Sequence, residues 1–191
     1  MARTINELCE FYGSDKCPKI AHSYAPFYDQ LFSGMKDVKR VLELGAGCTG
    51  VMEAFVKDYK NCASLFVWRE YFSPDTQIYG LDNQDQCNIK EDRIHVHIGD
   101  QTKEEDLQQL VKMAGGEFDI IIDDCSHKIE DQLFSAHFLL PHLKKGGVYC
   151  IEDVYDAEIN FARIHKEFKQ YYCQTTQFRP GRNDCIAVIK K

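Results

Sequence analysis

Nowhere does the 191-residue chain approach the run of roughly 18 apolar residues that a membrane-spanning helix needs. Its opening, MARTINELCEFYG, has no apolar core of signal-peptide length, so a cytoplasmic protein is expected. A basic excess is also missing. The 23 Lys and Arg stand against 30 Asp and Glu, for a net charge of −7 and a pI near 5.5. Nucleic acid and anionic membranes are therefore not expected as main partners. None of the nine cysteines, scattered from Cys9 to Cys185, forms a Cys-x-x-Cys pair. Their odd number and spacing fit neither a disulfide framework nor a zinc site, and reduced thiols are expected. No internal repeat, low-complexity tract or Gly/Ser linker divides the chain. With 44% hydrophobic residues it is expected to fold as one compact unit, residues 37–191, carrying a helical cover segment, residues 1–36.

What is present is a succession of short apolar runs: VKRVLELG (38–45), QIYGLD (77–82), IHVHIGD (94–100), FDIIIDD (118–124) and GGVYCIED (146–153). Most of them do not alternate, as suits parallel strands covered on both faces. IHVHIGD does alternate and is expected nearer an edge. Between the runs lie helical patterns. In TKEEDLQQLVKMAGG, Thr102 and Glu105 have capping-box spacing, and Leu107, Leu110, Val111 and Ala114 share a face. Ile129, Leu133, Ala136 and Leu140 form a second stripe, and Phe161, Ile164 and Phe168 a third. At the end, YYCQTTQFR, PGRND and CIAVIKK read as strand, turn and strand with no room for a crossover helix. The prediction is an α/β fold: a doubly wound, mostly parallel, seven-stranded Rossmann-like sheet finished by an antiparallel hairpin. In such sheets ligands bind at the carboxyl ends of the strands, where four of the five runs carry an acid.

VLELGAGCTG places Gly45, Gly47 and Gly50 in Gly-x-Gly-x-x-Gly register after the first strong strand. Three readings stand side by side. The glycines serve a tight strand-to-helix turn for backbone reasons alone. Alternatively they cradle a dinucleotide, with Asp82 on the ribose, although Asp82 follows Gly45 at nearly twice the spacing of about 20 residues that this fingerprint expects. The one Tyr-x-x-x-Lys pair, Tyr12 and Lys16, lies upstream of the loop, in the wrong order for a short-chain reductase. The third reading is S-adenosylmethionine, with Glu43 before the open turn, Asp82 on the ribose hydroxyls, and the terminal hairpin accounted for.

The run FDIIIDDCSH ends in Asp123 and Asp124 with His127 close behind, and the next strand ends in Glu152 and Asp153. Taken singly, such acids are helix caps or solvated loop residues. Brought together on neighbouring strand ends, they raise one another's pKa unless a cation or shared protons neutralise them. All-oxygen ligands point to Mg²⁺ or Mn²⁺. His95, His97, His137, His142 and His165 sit at no strand's carboxyl end and read as structural. His22 reads as part of an amphipathic helix start or as a group closing over a substrate.

VLELGAG, IYGLDN, IHVHIGDQT, FDIIIDDCSH and GGVYCIEDV, with YGSDK (12–16) and ASLFVWREYF (63–72), together resemble the class I methyltransferases. More narrowly, they resemble the metal-dependent sugar O-methyltransferases of the macrocin and mycinamicin type. The resemblance implies that Glu43, Gly45 and Gly47 form the cofactor turn, Ser64 lines the methionine end, Asp82 with Asn83 meets the ribose, and Asp100 with Gln101 meets the adenine. It assigns the metal to Asp124, Glu152 and Asp153, and makes Asp123 a neighbour facing the cofactor. Two departures stand out: Cys125 where the group has Gly, and a lengthened glycine loop, CTGVMEAFVKDYKN.

The expected activity is methyl transfer from S-adenosylmethionine to a sugar hydroxyl, on a sugar nucleotide, a glycan end or a glycosylated small molecule. In it, Asp124 helps hold a metal that chelates acceptor oxygens and His127 removes the proton. A placed base contributes on the order of 10²- to 10⁴-fold, and positioning about 7 to 11 kcal/mol. Rival readings are an NAD-dependent sugar enzyme, a non-haem iron oxygenase and a non-catalytic cofactor-binding module. For the oxygenase, the one His-x-Glu, His165 to Glu167, lies on a packing helix. Acceptor selection is expected from the first 36 residues, the loop after Asp153 and a possible second subunit.

Overall fold

Along each central strand of the computed structural model, successive side chains enter opposite cores. The structure describes residues 3–54, 56–179 and 184–191. In strand β1 (Arg40–Leu44), Val41 enters one core while Leu42 and Leu44 enter the other. In β4 (Phe118–Asp123), Ile120 and Ile122 face the first core and Ile121 the second. Both faces are covered, which is why these runs are apolar without alternation.

The first core is closed by helices α1 (Ile5–Tyr12) and α2 (Tyr24–Phe32), which contribute Ile5, Leu8, Tyr24, Tyr28 and Phe32. A short α3 (Thr49–Met52) follows the glycine turn, and α4 (Ala63–Tyr71) adds Phe66 and Trp68 to the same core. On the opposite face lie α5 (Glu104–Ala114), α6 (Ile129–Leu139) and α7 (Ala157–Glu167), bringing Leu107, Leu110, Leu133, Ala136 and Ile164.

The remaining strands are β2 (Gln77–Asp82), β3 (Ile94–Ile98), β5 (Leu143–Glu152), β6 (Tyr172–Gln177) and β7 (Cys185–Lys190). Together they make one seven-stranded sheet in the order β3-β2-β1-β4-β5-β7-β6. The pairs from β3 to β5 are parallel, whereas β7 runs antiparallel to both β5 and β6. The predicted doubly wound sheet with a reversed hairpin is the observed one, and β3 is indeed an edge strand. Residues 180–183 of the expected hairpin turn lie outside the described residues.

Two local expectations are corrected. Thr102 does not cap α5: its hydroxyl donates to Asp100 Oδ1 at 2.8 Å, and Lys103 takes the cap position without a side-chain bond. The aspartate two residues upstream holds that hydroxyl as a donor, whereas capping would have it accept from a helix N–H. Strand β5 also starts earlier than expected, at Leu143, and absorbs its extra residues in a register shift against β4.

Strand β1 pairs with β2 on one side and β4 on the other, so the winding direction reverses there and a crevice opens at the strand ends. Gly45 and Gly47 turn the chain at that point with φ of +85° and +81°. A Cβ on Gly45 would lie 2.1 Å from the Asp124 carbonyl oxygen, and one on Gly47 2.8 Å from the Tyr59 hydroxyl. Gly50 faces open space within α3. Of the three loop glycines, only the first two are required by the backbone.

Candidate active site

The crevice is an open cavity of about 1190 Å³. One wall is the glycine turn with Ser64, Asp82, Asn83, Asp100 and Gln101; the other carries Asp124, His127 and Asp153. Asp82 is fixed by backbone donors, with Gly47 N at 3.0 Å from Oδ2 and Gln84 N at 2.9 Å from Oδ1. Asp100 accepts from Thr102 N at 2.9 Å, and the Thr102 bonds hold its carboxyl below the ordinary value. Gln101 Oε1 accepts from Ser126 N at 2.8 Å, joining the walls.

Three of the expected site residues do not reach the cavity. Glu43 is fully buried: Oε2 accepts from Ser64 Oγ at 2.6 Å and Trp68 Nε1 at 2.9 Å, and Oε1 lies 3.2 Å from Lys16 Nζ. Asp123, expected to face the cofactor, points toward the second core instead. It accepts there from Ser135 Oγ at 2.5 Å and Tyr149 OH at 3.0 Å, and burial pushes its carboxyl up to about 6. Strand parity is the cause, because adjacent Asp123 and Asp124 must project to opposite sides. Glu152, expected as a metal ligand, is also fully buried, with Oε2 at 2.7 Å from Lys16 Nζ and Oε1 accepting from Tyr28 OH at 2.5 Å.

Asp124, His127 and Asp153 converge. His127 Nε2 is 3.0 Å from Asp124 Oδ1 and 3.8 Å from Asp153 Oδ2. One ligand atom from each of Asp124, His127 and Asp153 lies within 4.8 Å of the others. Asp124 Oδ2 accepts from Lys16 Nζ at 2.6 Å, and Asp153 Oδ1 from Tyr24 OH at 2.6 Å. Both His127 and Asp153 adopt left-handed backbone, with φ of +58° and +49°. Such conformations are uncommon outside glycine and concentrate at functional sites. Burial alone would lower the His127 pKa, but its bond to Asp124 and the charges of Asp124, Asp153 and Asp123 raise it to about 9. Burial likewise opposes ionisation of Asp124, yet Lys16 and His127 together hold its carboxyl well below the usual range.

The segment from 14 to 28 is what the sequence reading largely missed. Lys16 enters the first core with 1% of its surface exposed and touches Glu43, Asp124 and Glu152. Burial works against its charge, but Asp124, Glu152, Glu43 and Asp15 raise its pKa well above the ordinary value. Tyr24 holds Asp153 and Tyr28 holds Glu152, while His22 Nδ1 stands 3.6 Å from both Asp153 and Asp184. The one signal in the sequence was the YGSDK stretch.

No family model matches the chain. Demethylmacrocin O-methyltransferase of Streptomyces fradiae is 36% identical over 154 residues, 80% of this chain and 37% of that protein. Mycinamicin VI 2''-O-methyltransferase of Micromonospora griseorubida is 37% identical over 137 residues, 71% of this chain and 32% of that protein. The solved MycE methyltransferase in complex with Mg, SAH and mycinamycin VI superposes with a TM-score of 0.77 at 26% identity. The chain is a homologue of the macrocin and mycinamicin sugar O-methyltransferases. That superposition covers 99% of this chain and 55% of MycE. The sequence matches span about a third of the length of the two curated relatives. An O-methyltransferase from Bacillus cereus in complex with SAH, 16% identical with a TM-score of 0.63, shares the fold. Among the described residues, no helix is long and apolar enough to cross a membrane.

Proposed function

We propose that the chain is a cytoplasmic, S-adenosylmethionine-dependent and divalent-cation-dependent O-methyltransferase that acts on a sugar hydroxyl of a glycosylated small molecule or sugar nucleotide. The observation that carries this reading is the meeting of Asp124, His127 and Asp153 on the same cavity as the glycine turn and Asp82. Residues 1–36 act as a cover: their Lys16, Tyr24 and Tyr28 side chains brace the acids from behind.

The donor set fits a hard cation, since Asp124 and Asp153 present carboxylate oxygens close together and their charge keeps His127 protonated while nothing offsets it. Asp124 and Asp153 would hold Mg²⁺ or Mn²⁺, and Glu152, now bonded to Lys16 and Tyr28, would be a further ligand only on giving up one of those partners; such an ion would supply Lewis acidity to an acceptor hydroxyl. The sulfonium donor supplies a methyl group already activated for transfer. On the cofactor side, Asp82 and Asn83 face the ribose hydroxyls, and Asp100 with Gln101 borders the adenine. On the acceptor side, the bond between Nε2 and Asp124 orients the His127 ring, so that, once the acids beside it are neutralised, the other ring nitrogen, Nδ1, takes the hydroxyl proton. Tyr155, about half exposed and with its ring 6.0 Å from that of His127, forms the lip where a sugar would rest.

The test is transfer of labelled methyl from S-adenosylmethionine to a panel of rhamnosides, deoxysugar glycosides and sugar nucleotides, with and without EDTA. Transfer that requires a divalent cation supports the reading. Failure to bind SAH in calorimetry, or preferential binding of NAD, overturns it.

A further inference from the structure

Glu43, the acid of β1 nearest the glycine turn, is already committed to other partners. Ser64, Trp68 and Lys16 surround its two oxygens, and no part of it reaches the cavity. A carboxylate that meets the positive charge at the methionine end of S-adenosylmethionine is therefore a different one. Most acids on the cavity wall are also engaged. Asp82 and Asp100 accept backbone bonds, Asp131 accepts from Ser126 Oγ, Asp184 from Ser23 N, and Asp124 and Asp153 hold Lys16 and Tyr24. Among the described residues, Asp15 alone lines the cavity with a carboxylate that accepts no hydrogen bond from another residue.

Its position is fixed by the backbone. Asp15 O accepts from His22 N at 2.8 Å and Lys16 O from Ala25 N at 2.8 Å, so this loop is bonded to the start of α2. Lys16 points inward to the buried acids while Asp15 faces the cavity. The Asp15 charge acts on Tyr59, which touches the Gly47 turn, and also on Asp124 and His22. Asp15 thus lines the cavity within charge range of both the glycine turn's neighbour Tyr59 and the acid Asp124. Ser14, itself buried, precedes it on the same stretch of the cavity lining.

We infer that Asp15, with Ser14 beside it, binds the α-ammonium group of S-adenosylmethionine in the role left open by Glu43. This rests on the proposed function and assigns a residue to one end of its cofactor. A charge-assisted hydrogen bond of this kind, once removed, weakens binding about tenfold to a hundredfold.

Calorimetry in EDTA, which removes any contribution through a metal, tests the assignment. SAH and 5′-methylthioadenosine, which shares the nucleoside but lacks the amino acid, are titrated into the unmodified protein and Asp15→Asn. The expected result is SAH binding weakened at least about tenfold by the substitution, with methylthioadenosine unchanged. Asp131→Asn, which changes another acid lining the same cavity, is expected to leave both unchanged. A second measurement needs no variant: desamino-SAH, which keeps the carboxylate, is expected to bind the unmodified protein as weakly as SAH binds Asp15→Asn. SAH affinity within twofold of the unmodified value in Asp15→Asn overturns the inference, as does equal weakening of SAH and methylthioadenosine. If the unmodified protein binds neither ligand, the proposed function fails and the inference falls with it.

Discussion

Lys16 Nζ lies 2.7 Å from Glu152 Oε2, a pair buried between the N-terminal segment and the end of β5. The same ammonium reaches Asp124 and Glu43, so a single cation holds the carboxyl ends of β1, β4 and β5 together. Removing one partner of a buried ion pair leaves the others uncompensated, which typically costs about 3–5 kcal/mol. Lys16→Met is expected to lose stability on that scale in urea unfolding, with Lys16→Arg retaining part of it. An unfolding midpoint unchanged in Lys16→Met would mean that the three acids are neutralised in some other way.

His127 stands beside Asp124, Asp153 and Tyr155, the side of the cavity that the proposed function gives to the acceptor. His127→Gln is expected to lower methyl-transfer turnover by about 10²- to 10⁴-fold while SAH binding stays within error. A comparable fall in SAH affinity would move His127 to the cofactor site.

For Asp124→Asn, weaker Mg²⁺ binding in calorimetry is expected, because a ligand charge is lost beside Asp153. Mg²⁺ affinity equal to that of the unmodified chain would place the cation elsewhere.

The glycine turn offers an internal comparison. Gly45→Ala meets the Asp124 carbonyl and a φ of +85°, so it is expected to lower the melting temperature by an amount reflecting at least about 1–3 kcal/mol. Gly50→Ala, facing open space within α3, is expected to be neutral or to stabilise by about 0.4–1 kcal/mol. Equal effects at both positions would contradict the turn geometry.

Asp184 is buried against Ser23 N, at 2.9 Å, and the Arg179 guanidinium. Burial raises its pKa, but these partners outweigh it and hold the carboxyl below its ordinary value. A depressed carboxyl contributes stability that is present above the unfolded pKa, about 3.9, and is lost as pH falls through the folded value. Asp184→Asn is therefore expected to melt below the unmodified chain at pH 7, with the gap closing below about pH 4. A gap independent of pH would show that the carboxylate charge plays no part.

Much of this protein was legible in local pattern. Uninterrupted apolar runs ending in acids specified parallel strands covered on both faces, and YYCQTTQFR with CIAVIKK, lacking a crossover, specified the reversed hairpin. The same runs put Asp82, Asp124 and Asp153 at strand ends, where the crevice opens. Pattern of this kind is read from neighbours in sequence, so it fixes where an acid stands along a strand. What fills the space behind that acid depends on contacts between distant segments, and only the folded chain decides them. Folding turned Asp123 toward Tyr149 and Ser135, and committed Glu43 and Glu152 to a lysine more than a hundred residues from Glu152. It left Asp15, one residue before that lysine, facing the cavity. No periodicity in the chain encodes that pairing, because a buried charge finds its partner through three-dimensional proximity.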